Sequence, residues 1–259
     1  MKNDFAVFIE ALDRKTGIDL SKYKEAQMKR RLTTLRDKRG YQTFKEYFRA
    51  LDKDEALLNE LLDRMTINVS EFYRNAKRWD ILKQKVFPVM KKASLEKPKV
   101  WSAACSTGEE PYTLAILLEE SGVRDFEVIA SDIDKKALEK AERGVYPERA
   151  LREMPEKLKK KYFVNKGDMF EVTPEIKRKV SFVHHNLLVD PYPSGCHLIV
   201  CRNVLIYFTE ETKKVVYNGF NRSLQNRGIL FVGSTEQIFS PHQYNFDIFD
   251  TFFYQKKAE

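Results

Sequence analysis

Lys99-Val-Trp-Ser-Ala-Ala-Cys-Ser-Thr-Gly-Glu-Glu-Pro-Tyr112 is the stretch on which the fold turns. Val100 to Ala103 suit a buried strand, and Ser102 to Gly108 keep side chains small enough for a ligand to approach the backbone. Pro111 suits the first position of a helix that continues through Leu114, Ile116, Leu117 and Leu118. Strand, small-residue turn and helix in this order predict the first βα turn of a Rossmann-like nucleotide site.

A dinucleotide fingerprint needs three glycines so that backbone can touch a pyrophosphate. This turn has one, Gly108, followed by Glu109 and Glu110. Two carboxylates would repel phosphate, but they suit a cofactor that carries an ammonium and a sulfonium, such as S-adenosylmethionine. Taken alone, the same residues also fit a plain strand-turn-helix with a solvated Glu pair.

The 259 residues are enough for two modest domains, each with its own core. A helical pattern before residue 86 and a βα pattern after it divide the chain at 1–85 and 86–259. No apolar run is long enough for a membrane span and no signal-peptide core follows Met1, so a cytoplasmic protein without membrane insertion is expected. Cys105, Cys196 and Cys201 are odd in number and lack CxxC spacing, which argues against a disulfide framework and a zinc site. No metal is expected.

The formal charge of +8 is uneven: residues 1–85 hold 20 Lys and Arg against 14 Asp and Glu. An acidic partner, nucleic acid or protein, follows for that part. It reads as a bundle of amphipathic helices. Phe5, Phe8, Ile9 and Leu12 lie on one face, and Gly17 ends the first helix. A second helix over 21–38 carries Met28, Leu32 and Leu35 and stops at Gly40. Thr43 and Glu46 form a capping box before Phe44, Tyr47, Phe48 and Leu51, and a fourth helix carries Leu57, Leu58, Leu61, Leu62 and Met65. On the second helix Lys22, Lys29 and Arg36 form one heptad-spaced seam and Lys24, Arg31 and Lys38 another. The run is either a solvated face or a docking surface, and its concentration favours docking.

Between the bundle and the strand, Thr66-Ile-Asn-Val-Ser-Glu-Phe-Tyr-Arg74 precedes a helix whose Trp79, Leu82 and Val86 face inward. Ser70 either caps that helix or joins Asn68 and Arg74 in a polar clamp. Past the glycine turn, a second strand over 126–131 ends at Asp132-Ile-Asp134. Asp132 is placed to accept ribose hydroxyls, and Asp134 to cap the helix Lys135–Arg143 before Gly144. Residues 145–179 interrupt the rhythm with a basic helix over 156–161 and a hairpin around Asn165-Lys-Gly-Asp168. Strands over 180–184 and 197–201 follow, each with an Asn beyond its tip, then a helix capped by Thr209, a strand over 228–234 and one edge strand over 248–254. His184 and His185 are neighbours on opposite faces of a strand and read as structural.

Taken in order, Thr66–Arg74, Val100–Tyr112, Ala130–Asp134, Asn186-Leu187 and Cys201–Phe208 resemble the CheR family of chemotaxis-receptor methyltransferases over nearly the whole chain. The resemblance implies an α/β chain: a small N-terminal helical bundle, then a Rossmann-like class I methyltransferase domain with a small inserted β-subdomain at 145–179. It implies S-adenosyl-L-methionine as methyl donor, S-adenosyl-L-homocysteine as product, and glutamates of acidic methylation helices of membrane chemoreceptors as acceptors. Asn68, Ser70 and Arg74 match the contacts to the methionine end of the cofactor, Glu109 the acid of the glycine turn and Asp132 the ribose acid. Asn186 and Leu187 match the adenine side, Asn203 and Val204 the contacts after the fourth strand, and Arg202 and Tyr207 the residues near the transferred methyl. The short turn at 165–168 departs from members that also bind a receptor C-terminal pentapeptide, so that tether is not implied.

Two other classes compete. A nucleic-acid methyltransferase would use the basic charge and Cys201 at a strand tip, although no aromatic-basic platform accompanies them. A protein that senses the cofactor without catalysis is the third.

Overall fold

The computed structural model describes residues 3–65, 70–93, 97–123 and 125–258. The chain divides into two compact units, Met1–Ile67 with Ile206–Lys214, and Asn68–Leu205 with Val215–Glu259. The break lies earlier than the expected residue 85. Trp79, Leu82, Val86 and Phe87 are all buried in the core of the second unit, so the helical segment that carries them belongs there.

The first unit is a helical bundle. Helices α1 (Asp4–Thr16), α2 (Glu25–Lys38), α3 (Phe44–Leu51) and α4 (Glu55–Met65) bury Phe5, Phe8, Leu12, Met28, Leu32, Phe44, Tyr47 and Leu61 in a common core. Gly17 ends α1 at φ 71°, a left-handed position that glycine adopts without strain. The capping box is present: Thr43 accepts from the Glu46 amide at 3.1 Å while Glu46 accepts from the Thr43 amide.

The second helix starts later than its periodicity predicts. Asp19 opens a short 3-10 turn at Leu20–Lys22, and residues 22–24 are then drawn into extended pairing with 207–209. The Lys24 amide donates to the Tyr207 carbonyl at 2.8 Å, and the Thr209 amide to the Lys22 carbonyl at 3.0 Å. Lys22 and Lys24 therefore lie off the helix, and each heptad seam keeps only its later members on one helical line. Those members are also partly engaged. Arg31 donates to the Met65 carbonyl at 2.8 Å and lies 5.6 Å over the Tyr207 ring, and Arg36 pairs with Asp37 and lies 4.7 Å over Phe44.

The second unit is built on a seven-stranded sheet in the order β6-β2-β1-β7-β8-β10-β9. Its strands are β1 (Lys99–Ala103), β2 (Glu127–Asp132), β6 (Val180–His184), β7 (Cys196–Cys201), β8 (Leu224–Val232), β9 (Phe246–Asp250) and β10 (Phe253–Lys256). The first five in that spatial order run parallel, so their C-terminal tips share one edge. Helices α5 (Ala76–Ile81) and α6 (Phe87–Ala93), joined by the π-turn Leu82–Val86, pack with α7 (Glu109–Glu120) and α8 (Lys135–Arg143) around it. The insert is a separate three-stranded sheet of β3 (Val145–Pro147), β5 (Met169–Val172) and β4 (Phe163–Asn165), flanked by α9 (Glu156–Tyr162) and α10 (Pro174–Lys177). The hairpin of β4 and β5 is where the turn residues place it; β3 is an additional partner. Helix α11 (Glu210–Ser223) leads into β8.

Two local expectations change. Pro111 is the third residue of α7, because Gly108 at φ 95° already caps the helix and starts it at Glu109. The final edge strand is a hairpin of β10 and β9, since Phe252 turns the chain at φ 70°. Thr43→Ala removes the α3 cap and is expected to cost about 1 kcal/mol, read from the urea midpoint. An unchanged midpoint would show the cap is redundant with the amide bond from Phe44 to Asp4.

Candidate cofactor site

Most of the cofactor residues singled out in the sequence lie at the edge formed by the five parallel tips. Beyond β1 lie Cys105 to Glu109, beyond β2 Asp132, beyond β6 Asn186 and Leu187, and beyond β7 Arg202 to Val204. Ligands of open α/β sheets bind at this edge because the strand-to-helix turns there expose backbone and aim helix N-termini at one place. Asn68 lies outside the described residues.

The glycine turn is shaped by packing. A side chain on Gly108 would meet the Ala141 Cβ at 2.7 Å and the Tyr146 hydroxyl at 2.8 Å, and that hydroxyl donates to the Thr107 carbonyl. Ala104 and Ser106 both take left-handed backbone, at φ 62° and 50°. Asp132 holds this arrangement: its carboxylate accepts from the Ser106 amide at 2.7 Å and the Asp134 amide at 2.9 Å. Asp134 caps α8 through the Ala137 amide. The two aspartates thus have separate jobs, but Asp132 is also structural, so its replacement affects folding as well as any ribose contact.

Glu109 is only 5 % exposed and is held by hydroxyls, with Thr107 donating at 2.7 Å and Ser70 adding a second bond. Ser70 does not cap α5, whose preceding residue Asn75 takes left-handed backbone. Burial pushes the Glu109 carboxyl above its ordinary value, and these hydrogen bonds offset only part of that. Burial raises Glu110 too, but Arg202 opposes it from 3.4 Å and Ser102 donates at 2.8 Å. Asp132 is raised by burial against the amide bonds from Asp134, Ser106 and Ile133. A cationic ligand relieves such a cluster. The ammonium and sulfonium of S-adenosylmethionine fit it, with Glu109 as the acid that has hydroxyl partners rather than a cation.

Arg202 sits deep in the unit, between the Trp79 and Phe231 rings at 5.2 and 5.1 Å. Its guanidinium bonds Glu110 and donates to the Arg74 carbonyl at 3.1 Å. These bonds tie the Arg74 carbonyl to Glu110 through one guanidinium. Beside it a cavity of ≈ 680 Å³ is lined by Asn75, Lys77, Arg78, Arg202, Ser234 and Phe252 among others. Tyr207 belongs to the helical unit, under Arg31. Leu187 is buried and its carbonyl accepts from the Tyr192 hydroxyl, while the Asn186 side chain accepts from the Leu188 amide. His185 is buried with Nε2 on the Pro191 carbonyl, and His184 on that of Ile133.

The sequence reading missed Glu236. It is 3 % exposed, and its carboxylate accepts four backbone amides, from Gly233, Asn203, Val204 and Leu205, at 2.7 to 2.8 Å. The available signal was a glutamate three residues after the glycine that ends a strand.

A carboxyl with a raised folded pKa keeps its proton in the folded chain at a pH where the unfolded chain has lost it. Stability therefore falls as pH rises from the ordinary 4.5 through the raised value. Glu109→Gln is expected to raise the melting temperature of the cofactor-free protein at pH 7.5, with the gain vanishing toward pH 4.5. Each kcal/mol corresponds to about 2–4 °C in a chain of this size. The same variant should bind S-adenosylhomocysteine weaker by about 1.5–3 kcal/mol, the range for a lost bond to a charged group. A lower melting temperature at pH 7.5, or unchanged affinity, would remove Glu109 from this role.

Among the described residues no His, Cys, Asp and Glu cluster suits a metal ion, and no helix is long and apolar enough to cross a membrane. Residues 68–253 match the family described as CheR methyltransferase, SAM binding domain, and residues 3–66 match CheR methyltransferase, all-alpha domain. A chemotaxis protein methyltransferase of Listeria innocua is 44% identical over 99% of this chain and 98% of its own length. One from Borreliella burgdorferi is 34% identical over 92% of this chain and 89% of its own. The strand-tip edge lies within the stretch that matches the SAM binding domain, and the chain belongs to the CheR methyltransferase family.

Proposed function

We propose that this chain moves the methyl group of S-adenosylmethionine onto glutamate carboxylates in the methylation helices of chemoreceptors, forming methyl esters in the cytoplasm. The observation that supports this reading is the end-to-end likeness to relatives named chemotaxis protein methyltransferase. Bound cofactor supplies an electrophilic methyl on a sulfonium. Ser70, Arg74 and Glu109, with Asn68, hold its methionine end; Asp132 takes the ribose; Asn186, Leu187, Asn203 and Val204 line the rest.

The acceptor needs no general base, because a glutamate side chain with a pKa of about 4.3 is ionised at neutral pH. Alignment of nucleophile and methyl then dominates. Arg202 serves by fixing the Arg74 backbone, and the cavity beside it, with Lys77 and Arg78 in its wall, admits the acceptor carboxylate. Trp79, Phe231 and Phe252 keep water from a weak nucleophile.

The competing nucleic-acid reading loses its nucleophile. Cys201 is completely buried and its thiol is pushed well above the ordinary value, whereas attack on a pyrimidine requires a thiolate. The decisive assay incubates the protein with methyl-labelled S-adenosylmethionine and a receptor cytoplasmic fragment. Base-labile esters on the fragment are expected; label that survives base, or appears in added RNA, would overturn the proposal.

Lys22, Lys24, Lys29, Arg31, Arg36 and Lys38 form the surface that meets the acidic helices, in place of a pentapeptide tether. Arg31 also supports the helical unit, so the exposed Lys22 and Lys38 give the cleaner test. Reversing both to Glu should raise the receptor KM severalfold and flatten its salt dependence, since exposed charges are screened beyond about 10 Å at 0.1 M salt. Affinity for S-adenosylhomocysteine should be unchanged. A wild-type KM and salt slope would reduce the seams to a solvated face.

A further inference from the structure

The residues after β7 have a conformation that the local sequence does not favour. Asn203 is left-handed at φ 65°, and the next two residues turn away from the sheet so that their amides find no partner in it. All three amides point to one acceptor. Glu236 Oε1 accepts from Val204 at 2.8 Å and Leu205 at 2.7 Å, while Oε2 accepts from Asn203 at 2.7 Å and Gly233 at 2.8 Å.

The fit leaves no slack. A side chain at Gly233 would run into the Glu236 carboxylate and lie 3.1 Å from the Asn203 amide, so the turn after β8 is glycine because the carboxylate fills that space. The Glu236 amide itself donates to the Gly233 carbonyl at 3.0 Å, which closes the turn that aims the side chain. A carboxylate is required here, since it offers acceptors in two directions and no donor. Glutamine would bring an NH₂ group against at least one backbone N–H.

We propose that Glu236 is a positioning residue of the methyl-transfer site: from β8 it fixes the backbone of the Asn203–Leu205 turn in the shape that receives the cofactor. It touches neither cofactor nor acceptor, and it acts through Asn203 and Val204. The inference rests on the placing of those two residues at the cofactor. It does not depend on which acceptor is methylated, because its readout is cofactor affinity.

The test compares Glu236→Gln with Leu118→Ala, a variant in the buried C-terminal half of α7 that lowers stability without altering the strand tips. S-adenosylhomocysteine affinity is measured by calorimetric titration on folded protein, with KM for S-adenosylmethionine and for receptor measured alongside. At least a fivefold greater loss of affinity in Glu236→Gln than in Leu118→Ala is expected, with KM for S-adenosylmethionine raised and KM for receptor little changed. A smaller difference would make Glu236 a purely structural residue and overturn the proposal. If Glu236→Gln does not fold, Glu236→Asp is judged by the same criterion, because its shortened carboxylate keeps the charge but cannot reach all four amides. If the ester assay fails while Glu236→Gln loses affinity, the acceptor assignment falls and the positioning role stands.

Discussion

Where parallel strands end and the chain turns toward a helix, backbone amides lose their sheet partners, and buried amides must find others. In this chain buried carboxylates take them. Asp132 serves the turns after β1 and β2, and Glu236 those after β7 and β8. The left-handed backbones of Ser106 and Asn203 persist because these bonds over-determine them. The backbone shape of this edge is thereby fixed by buried side chains from elsewhere in the chain.

The same choice sets the electrostatics. Glu109, Glu110, Asp132 and Glu236 are gathered at one edge, each with its carboxyl raised by burial. Arg202 pairs with Glu110, and it lies against two aromatic rings. The edge therefore favours a cation, which excludes a pyrophosphate and suits a sulfonium. In the helical unit the excess has the opposite sign, so one chain combines an acidic strand-tip edge with a basic helical part.

Much of this was legible in the residues. The strand, small turn and Glu pair at 99–112 fixed the class of site, and Gly17, the Thr43 capping box, Asp134 and the 163–172 hairpin all sit where local chemistry puts them. What failed had a tertiary cause. Residues 22–24 carry a helical pattern but pair with 207–209, a segment far away in the chain. Pro111 lies inside the helix because left-handed Gly108, packed against Ala141, is its cap. Glu236 gave no periodic signal at all: its meaning lies in three amides more than thirty residues upstream.

Such distances explain why Cys201–Phe208 is informative beyond its length. The carbonyl of Arg74 is fixed by Arg202, the amides of Asn203 to Leu205 by Glu236, and Tyr207 to Thr209 by the extended stretch at Lys22–Lys24. Nearly every residue of this stretch has a partner distant in sequence, and Leu205 and Ile206 fall on either side of the division between the two units. A substitution at Arg202 to Leu205 disturbs bonds of the second unit, and one at Tyr207 to Thr209 disturbs bonds of the first. Density of long-range partners therefore fixes the shape of a segment whose own composition is ordinary.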